Sequence, residues 1–269
     1  MIPFPNIDPV ALQLGPLVIR WYALAYVAGI LIGFYYVNWL DRRQAARGGR
    51  AVYFSDKARD DLVLYAVLGI ILGGRIGYIL FYNLPYYFEH PGDILKVWHG
   101  GMSFHGGLIG IFTAYYLFAR KYGLKWLRIM DFLATATPIG LFFGRLANFI
   151  NGELYGRVTD SRFGMIFPNS DGLPRHPSQL YEAALEGLVL FLVLYAIATR
   201  TRAFDKVGVI GGTFLAGYGI SRFIIEFFRE PDAQLGLLLG PLSMGQLLCV
   251  PMIVAGLWLV VTAKPALKP

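Results

Sequence analysis

The chain has 269 residues, of which 56% are hydrophobic and only 15% are charged, and its mean hydropathy is +0.53. These values are typical of a protein that crosses a membrane several times, and they exclude a chain that folds only as a soluble domain. The formal net charge of +7 reflects membrane orientation, and nothing favours nucleic-acid binding. The single cysteine, Cys249, excludes an internal disulfide and a thiolate metal cluster.

Apolar stretches of about 20 residues are long enough to cross about 30 Å of hydrocarbon. They predict an all-α, polytopic membrane protein with about seven transmembrane helices, and residues 1–269 are expected to form a single integral-membrane domain. The first helix has no basic segment before it and no small-residue cleavage site, so we expect it to be retained. The predicted helices cover residues 17–40, 62–84, 101–119, 129–150, 178–198, 208–228 and 242–262.

Positive charge is distributed unevenly between the predicted loops. Fifteen lysines and arginines lie in the set 41–61, 120–128, 199–207 and the C-terminal tail, with Arg50 and Lys268 among them. Only five lie in the set 1–16, 85–100, 151–177 and 229–241. Because lysine and arginine stay on the cytoplasmic side, the N-terminus is predicted outside and the C-terminus in the cytoplasm. Attraction to anionic membrane lipids is a secondary effect of the same charges.

Four arginines remain inside the predicted helices. Each costs about 2.5–3.5 kcal/mol at a helix centre unless it is paired or wetted. Arg20 is close enough to the helix end to reach the head groups. The other three lie about 9–15 Å below the outer boundary at 1.5 Å per residue, at the same depth as two further polar residues. This predicted layer, which suits a phosphodiester, consists of Tyr22, Arg75, His105, Arg145 and Arg222.

Each member of this layer also has a purely structural interpretation. Arg222 and Glu226 are four residues apart, so they can neutralise each other on one helix face. Arg75 lies between Gly69, Gly73 and Gly77, whose spacing favours close helix packing, and it either binds a ligand or holds backbone carbonyls there. Tyr22 fits an interfacial aromatic belt. His105 is either a packing element or a group that titrates near neutrality.

The run from Gly144 to Gly156 places a cation, two amides and a carboxylate at the end of an apolar segment. Such groups mark a site by default, because polar groups are costly in lipid. Their spacing predicts that Arg145, Asn148, Asn151 and Glu153 line one turn and its mouth.

This run resembles the signature of the bacterial prolipoprotein diacylglyceryl transferases. The resemblance extends over almost the whole chain, through the segments Trp21–Tyr22, Gly73–Tyr78, Gly100–Gly107, Arg175–Glu182 and Arg222–Arg229. It implies an enzyme without a cofactor that moves the sn-1,2-diacylglyceryl group of phosphatidylglycerol to the lipobox cysteine of a prolipoprotein signal peptide. The products are a thioether and glycerol 1-phosphate, in the first step of lipoprotein maturation. The expected location is the bacterial inner (plasma) membrane, with the active site facing the outer leaflet.

The resemblance also implies roles for the residues. Arg145 and Arg222 are expected to bind the phosphate and stabilise the leaving group, and His105 to take the thiol proton directly or through a water. Glu226 is expected to hold Arg222. The expected substrate-binding set is completed by Tyr22, Arg75, Asn148, Asn151, Glu153 and Gly156, the last of which permits a turn.

Hydrolase chemistry and a metal site are disfavoured by the residues themselves. The chain has no Gly-x-Ser-x-Gly and no His-Glu-x-x-His, and Cys249 lies in an apolar run. A transporter, an acyltransferase with a cytoplasmic donor and a lipid-binding scaffold stay open on the residues alone. A transporter is disfavoured because the inner halves of the helices have few charges, apart from Asp131, Glu182 and Glu186, to which we assign no role.

Overall fold

The computed structural model describes residues 2–49, 51–230, 237–239 and 242–265. Arg50, Lys268 and most of the last outer loop, residues 231–236 and 240–241, lie outside the described residues. Helices dominate the described chain. They are α1 Trp21–Gly48, α2 Asp56–Tyr82, α3 Leu84–Glu89, α4 Phe104–Tyr122, α5 Trp126–Ile150, α6 Ser178–Arg200, α7 Val209–Ile225 and α8 Met244–Thr262.

Each of the seven predicted ranges overlaps one of the long helices, although α1 continues to Gly48 and α2 begins at Asp56. Within the described residues, five of them, α1, α2, α5, α6 and α8, are long and apolar enough to cross a membrane. Helix α7 is apolar but shorter, with 17 residues. The chain is therefore a multi-pass helical protein, while the count of seven spans and the orientation of the termini stay predictions.

A β-hairpin corrects the start of the first predicted span. Residues 17–20 are not helical, because Leu17–Arg20 (β2) pairs antiparallel with Val10–Leu14 (β1). Gly15, with φ of +59°, permits the tight turn between them. Hydropathy alone cannot separate an apolar strand from a helix. A second small sheet, Leu237–Leu239 (β3) with Leu242–Ser243 (β4), precedes α8, so the expected all-α class becomes mostly helical.

The chain divides into two compact units, each described here by itself. One consists of Asp41–Ile129, and the other contains the remainder of the described chain. The expectation of a single catalytic domain stays a prediction.

In the unit Asp41–Ile129, α2 and α4 approach closely along their glycines. A Cβ atom added to Gly77 would lie 2.6 Å from the Cα of Gly106, and one added to Gly110 would lie 2.7 Å from the Cα of Gly73 and even nearer the carbonyl oxygen of Gly69. These contacts are with backbone, which cannot rotate away. The predicted use of the glycines in close helix packing is confirmed.

In the other unit, α6 contains a π-helical segment, Ala183–Val189. Such wide turns are uncommon and occur frequently at functional sites. Helix α6 packs tightly on its neighbours: a Cβ on Gly187 would lie 2.7 Å from the Cβ of Phe142 on α5, and one on Gly217 of α7 would lie 2.7 Å from Leu190. Side chains that α5, α6 and α7 direct at one another are therefore close together.

The α2–α4 contact gives a first test. We expect Gly110→Ala to lower the thermal unfolding midpoint in mild detergent by several degrees. Overpacking lowers the free energy of unfolding by about 1–3 kcal/mol, and the better helix propensity of alanine offsets at most about 1 kcal/mol of this loss. Gly107→Ala on the same helix is the matched control, because its added Cβ would meet nothing nearer than 3.7 Å. Equal midpoints for the two variants would contradict the close packing.

Candidate active site

Two glutamates on α6, Glu182 and Glu186, are fully buried, with 0% of their surface exposed. Glu182 ends the first α-helical turn of α6, and Glu186 lies in the π-helical segment. An ionised carboxylate at such a position needs positive partners. The structure supplies them from two other helices.

The carboxylate of Glu182 binds three guanidinium groups. Its Oε2 lies 2.9 Å from Nε of Arg145 on α5. Its Oε1 accepts from Nη1 of Arg222 on α7 at 2.7 Å and from Nη1 of Arg229, just beyond α7, at 3.1 Å. One buried carboxylate therefore fixes the relative positions of three arginines.

Two further carboxylates complete the cluster. Glu186 lies 3.8 Å from Nη2 of Arg145 and 3.9 Å from Nη1 of Arg222. Glu226 lies 3.1 Å from Nη2 of Arg222, which confirms the predicted pair, and its Oε1 accepts from the hydroxyl of Ser243 at 3.0 Å. We call this set the Arg–Glu cluster; its members are Arg145, Arg222, Arg229, Glu182, Glu186 and Glu226.

The two kinds of side chain differ in exposure. The three arginines of the cluster keep 17–18% of their side-chain surface exposed, whereas the glutamates keep 0–8%. The carboxylates are thus more deeply buried than the arginines, whose side chains keep part of their surface exposed. Arginines held this way can offer the planar N–H pairs that bind a phosphate or carboxylate.

The signature run extends the cluster. Nη1 of Arg145 donates to Oδ1 of Asn148 at 3.5 Å, and Nδ2 of Asn148 donates to Oε1 of Glu153 at 2.7 Å. The structure therefore brings together three of the four predicted lining residues. Asn151, the fourth, follows directly after α5 and is half-buried, and its backbone N–H donates to Ala147 at 3.0 Å.

Gly156 holds the loop after α5 against the end of α7. Its N–H donates to the carbonyl of His176 at 2.8 Å, and a Cβ at this position would collide with the carbonyl oxygen of Phe228. The next residue, Arg157, donates through Nε to the carbonyl of Arg229 at 2.8 Å. Gly156 thus permits a close approach that positions Arg229.

The start of α6 is tied to the same loop. The side chain of Gln179 donates to the carbonyl of Glu153 at 2.5 Å, and the hydroxyl of Ser178 donates to the carbonyl of Leu154 at 2.9 Å. Leu154 has a φ of +58°, which is uncommon for a residue other than glycine. These bonds hold the signature run in an unusual backbone conformation beside the cluster.

The outer part of this loop has its own ion pairs. Arg175 donates to Asp171 at 2.8 Å, to Glu230 at 2.9 Å and to the carbonyl of Gly156 at 3.1 Å. The guanidinium of Arg175 lowers the pKa of Asp171 to about 2. Burial against aromatic rings lowers the pKa of His176. Both groups shape the loop and keep their usual charge near neutrality.

Tyr22 belongs to the same unit as the Arg–Glu cluster. Its ring lies 5.1 Å from that of Tyr26, one turn further along α1. Tyr26 in turn interacts electrostatically with Arg145 and Glu153. The contact of Tyr22 with the cluster is thus indirect.

Arg75 and His105 belong to the unit Asp41–Ile129, so the predicted five-residue layer as a whole stays a prediction. Arg75 is buried, and all five of its N–H donors are used. This geometry favours the alternative in which Arg75 holds carbonyls. The acceptors are the backbone oxygens of Asp93, Ile94, Lys96, Gly100 and Gly101, at 2.6–3.3 Å.

His105 lies in the first turn of α4, and its side chain is exposed. Its ring contacts that of Phe104 edge to face, with the ring centroids 5.6 Å apart. In the described part of the chain, His105 included, no group of three or more His, Cys, Asp or Glu is arranged to hold a metal ion.

Sequence reasoning missed three members of the cluster. It assigned no role to Glu182 or Glu186, and it left Arg229 in an outer loop. A signal was present, because two carboxylates four residues apart in an apolar helix require positive partners as much as the arginines require negative ones. A charge balance over all the helices would have found them.

The fold and the cluster define a multi-pass helical protein whose helices enclose paired arginines and glutamates. The chain belongs to the prolipoprotein diacylglyceryl transferase family, whose model matches residues 9–262. Two relatives, both named phosphatidylglycerol–prolipoprotein diacylglyceryl transferase, are similar over nearly their full length. The one from Azospirillum brasilense is 56% identical over 98% of this chain and 97% of its own. The one from Rickettsia felis is 51% identical over 97% and 99%.

The central position of Glu182 gives a second test. We expect Glu182→Gln to destabilise the protein by about 3–5 kcal/mol, because removal of one partner leaves buried charges uncompensated. Glu230→Gln is the control, since Glu230 pairs with Arg175 at the surface and such pairs contribute about 0–1 kcal/mol. Denaturation midpoints in mild detergent measure both. A Glu182→Gln variant as stable as Glu230→Gln would show that the cluster does not depend on this carboxylate.

Proposed function

We propose that this protein transfers the sn-1,2-diacylglyceryl group of phosphatidylglycerol to the lipobox cysteine of prolipoprotein signal peptides. Membership of the family and the names of its close relatives support the reaction. One structural observation supports its location. A single buried carboxylate, Glu182, holds three arginines whose side chains keep 17–18% of their surface exposed.

The products define which bonds change. The cysteine thiolate attacks the glyceryl carbon that carries the phosphate oxygen, so a C–S bond forms and that C–O bond breaks. The phosphodiester has one negative charge, and the departing glycerol 1-phosphate has two. Because the second charge develops as the C–O bond breaks, groups that bind it stabilise the transition state more than the substrate.

Arg145 and Arg222 are suited to this work. Both share Glu182, which keeps them from separating, and Glu226 restrains Arg222 from the other side. Preorganised donors of this kind need not reorient as charge develops. Arg229, bound to the same carboxylate, adds a third positive charge. We assign these arginines to the phosphate of the substrate and of the leaving group.

The head-group glycerol is neutral, and its hydroxyl groups need hydrogen-bonding partners. Asn148 and Glu153 lie next to Arg145 in a continuous set of hydrogen bonds, and we assign them, with Tyr22 and Asn151, to this group. Gly156 shapes the loop beside them. Arg75 belongs to the substrate-binding set only indirectly, because it holds the backbone carbonyls of the loop before α4.

A free cysteine is mostly protonated at pH 7, with a pKa of about 8.5, so the acceptor thiol must lose a proton before attack. We assign this proton to His105, directly or through a water. The side chain is exposed at the start of α4, and imidazole exchanges a proton near neutrality. The enzyme then needs no nucleophile of its own, in agreement with the buried position of Cys249.

We further propose seven spans in the bacterial inner membrane, with the N-terminus outside, the C-terminus in the cytoplasm and the site facing the outer leaflet. The support is the excess of lysine and arginine in one set of loops. The site loop 151–177 belongs to the other, less positive set. A prolipoprotein exported across the membrane would meet the site on that side.

Substitution of the arginines tests the phosphate site. Arg145→Lys and Arg222→Lys keep the charge but lose the planar pair of donors, so we expect transfer to a lipobox peptide to fall about 100-fold or more. Arg162→Ala is the control, because Arg162 is exposed in the loop, and it should retain full activity. Wild-type rates in either lysine variant would remove that arginine from the phosphate site.

The pH profile tests His105. Wild-type transfer should rise through a group that titrates near neutrality. His105→Gln should be slow at pH 7 and partly recover towards pH 8.5, where the substrate thiol ionises by itself. Rates of peptide modification from pH 6 to 9.5, followed by mass, provide the comparison. Parallel profiles for the two proteins would reject His105 as the base.

Cysteine labelling tests the orientation. In a Cys249→Ala background, which should stay active, cysteine placed at the exposed Asp160 should react with an impermeant thiol reagent outside spheroplasts. Cysteine placed at the exposed Arg47 should react only after lysis. The reverse pattern would contradict the proposed topology.

A further inference from the structure

The Arg–Glu cluster is electrically balanced before any substrate arrives. Three guanidinium groups are ion-paired with three carboxylates, all of which are buried. A phosphodiester adds one negative charge. Uncompensated charge is costly at a site shielded from water, so binding of an anionic head group is favoured if one carboxylate becomes neutral.

The three carboxylates are not equally well held. Glu182 accepts hydrogen bonds from Arg222 and Arg229, and Glu226 accepts one from Ser243. Glu186 is different, because neither of its oxygens has a hydrogen-bond donor among the described residues. Its ion pairs with Arg145 and Arg222 are also the longest in the cluster, at 3.8 and 3.9 Å. The ionised form of Glu186 is therefore the least stabilised of the three.

Few of the groups that surround Glu186 can accept a proton. Its electrostatic partners come from four helices and the segment after α7: Glu182 on α6, Arg145 on α5, Tyr218 and Arg222 on α7, Arg229 beyond α7, and Cys249 on α8. Arginine stays protonated in proteins, and a protonated tyrosine or cysteine is already neutral. Only a carboxylate can remove negative charge by taking a proton, and Glu186 is the one without hydrogen bonds.

We propose that Glu186 takes up one proton from water when the phosphate of an anionic lipid binds to Arg145 and Arg222, and loses it when the phosphate product leaves. The anionic lipid then enters with no net change in the charge of the site. This inference rests on the proposed function, since it concerns the same phosphate site. It makes Glu186 a positioning residue that sets the affinity of the arginines for anions.

The inference predicts a specific pH dependence. Because the bound state holds one more proton than the free state, affinity for phosphatidylglycerol falls as pH rises, by at most about tenfold per pH unit. Glu186→Gln is neutral at every pH, so its affinity should be independent of pH and, at pH 8.5, higher than that of the wild type. A zwitterionic lipid adds no net charge and should cause no proton uptake.

Calorimetric titration tests proton uptake without any need for turnover. Short-chain phosphatidylglycerol is added at pH 8.5 to the full-length protein in phosphatidylcholine nanodiscs, in two buffers with different ionisation enthalpies. We expect a net uptake approaching one proton for the wild type and for the Glu230→Gln control, and none for Glu186→Gln. Equal uptake by the wild type and Glu186→Gln would overturn the inference. If the variant does not fold, an absence of uptake by the wild type overturns it equally.

A transfer assay on the same samples separates this inference from the proposed function. Transfer to a lipobox peptide without proton uptake on binding would reject the role of Glu186 and keep the function. Proton-coupled binding without transfer would reject the function and keep the role of Glu186. In the active enzyme, the KM for phosphatidylglycerol should rise with pH, and Glu186→Gln should remove that rise while leaving the pH profile of kcat unchanged. A KM that rises equally in both proteins would reject the inference.

Discussion

The shared salt bridge of Glu182 is the constraint on which the site depends. Arginines inside an apolar protein are unfavourable unless they are paired, and unpaired glutamates are equally unfavourable. One carboxylate offsets the cost of burying both kinds of charge, because it binds guanidinium groups from α5, from α7 and from the segment after α7. Because three parts of the chain meet at this residue, the geometry of the site and the packing of the helices are linked.

The surrounding elements maintain this arrangement. The π-helical segment of α6 contains Glu186, the second buried carboxylate of that helix. The loop after α5 is held by Gly156 and by the side chains of Ser178 and Gln179, so that Arg157 can fix the backbone at Arg229. Asp131, which had no assigned role, accepts from the backbone N–H groups of Gly208 and Gly211 at the start of α7. It stabilises the helix that carries Arg222.

Local patterns were sufficient for much of the fold. Hydropathy located every long helix, the spacing of the glycines predicted the α2–α4 contact, and the four-residue spacing predicted the pair of Arg222 and Glu226. The β-hairpin was missed because its second strand is as apolar as the helix that follows. The sequence could not decide whether Arg75 binds a ligand or holds backbone carbonyls. Its five acceptors lie in an irregular loop, and the conformation of such a loop cannot be predicted from sequence periodicity.

The centre of the site was missed for a different reason. Glu182 lies in the sequence 37 residues from Arg145 and 40 from Arg222, so nothing in the local sequence indicates that they meet. A single sequence shows that charges in lipid are costly, but not which charges share a partner. The pairing emerges only when three helices are packed together, and it shows that Arg145 and Arg222, two members of the predicted layer, share buried carboxylates.

In the proposed mechanism, the lipid phosphate binds the guanidinium groups of Arg145 and Arg222. Solid-state NMR can measure the dipolar coupling between the phosphorus of phosphatidylglycerol and ¹⁵N-labelled arginine side chains of the protein in bilayers. We expect a strong coupling, since N–H···O contacts are about 2.7–2.9 Å long. We expect this coupling to be lost in the Arg145→Ala, Arg222→Ala double variant. A coupling of the same strength in the folded double variant would contradict it.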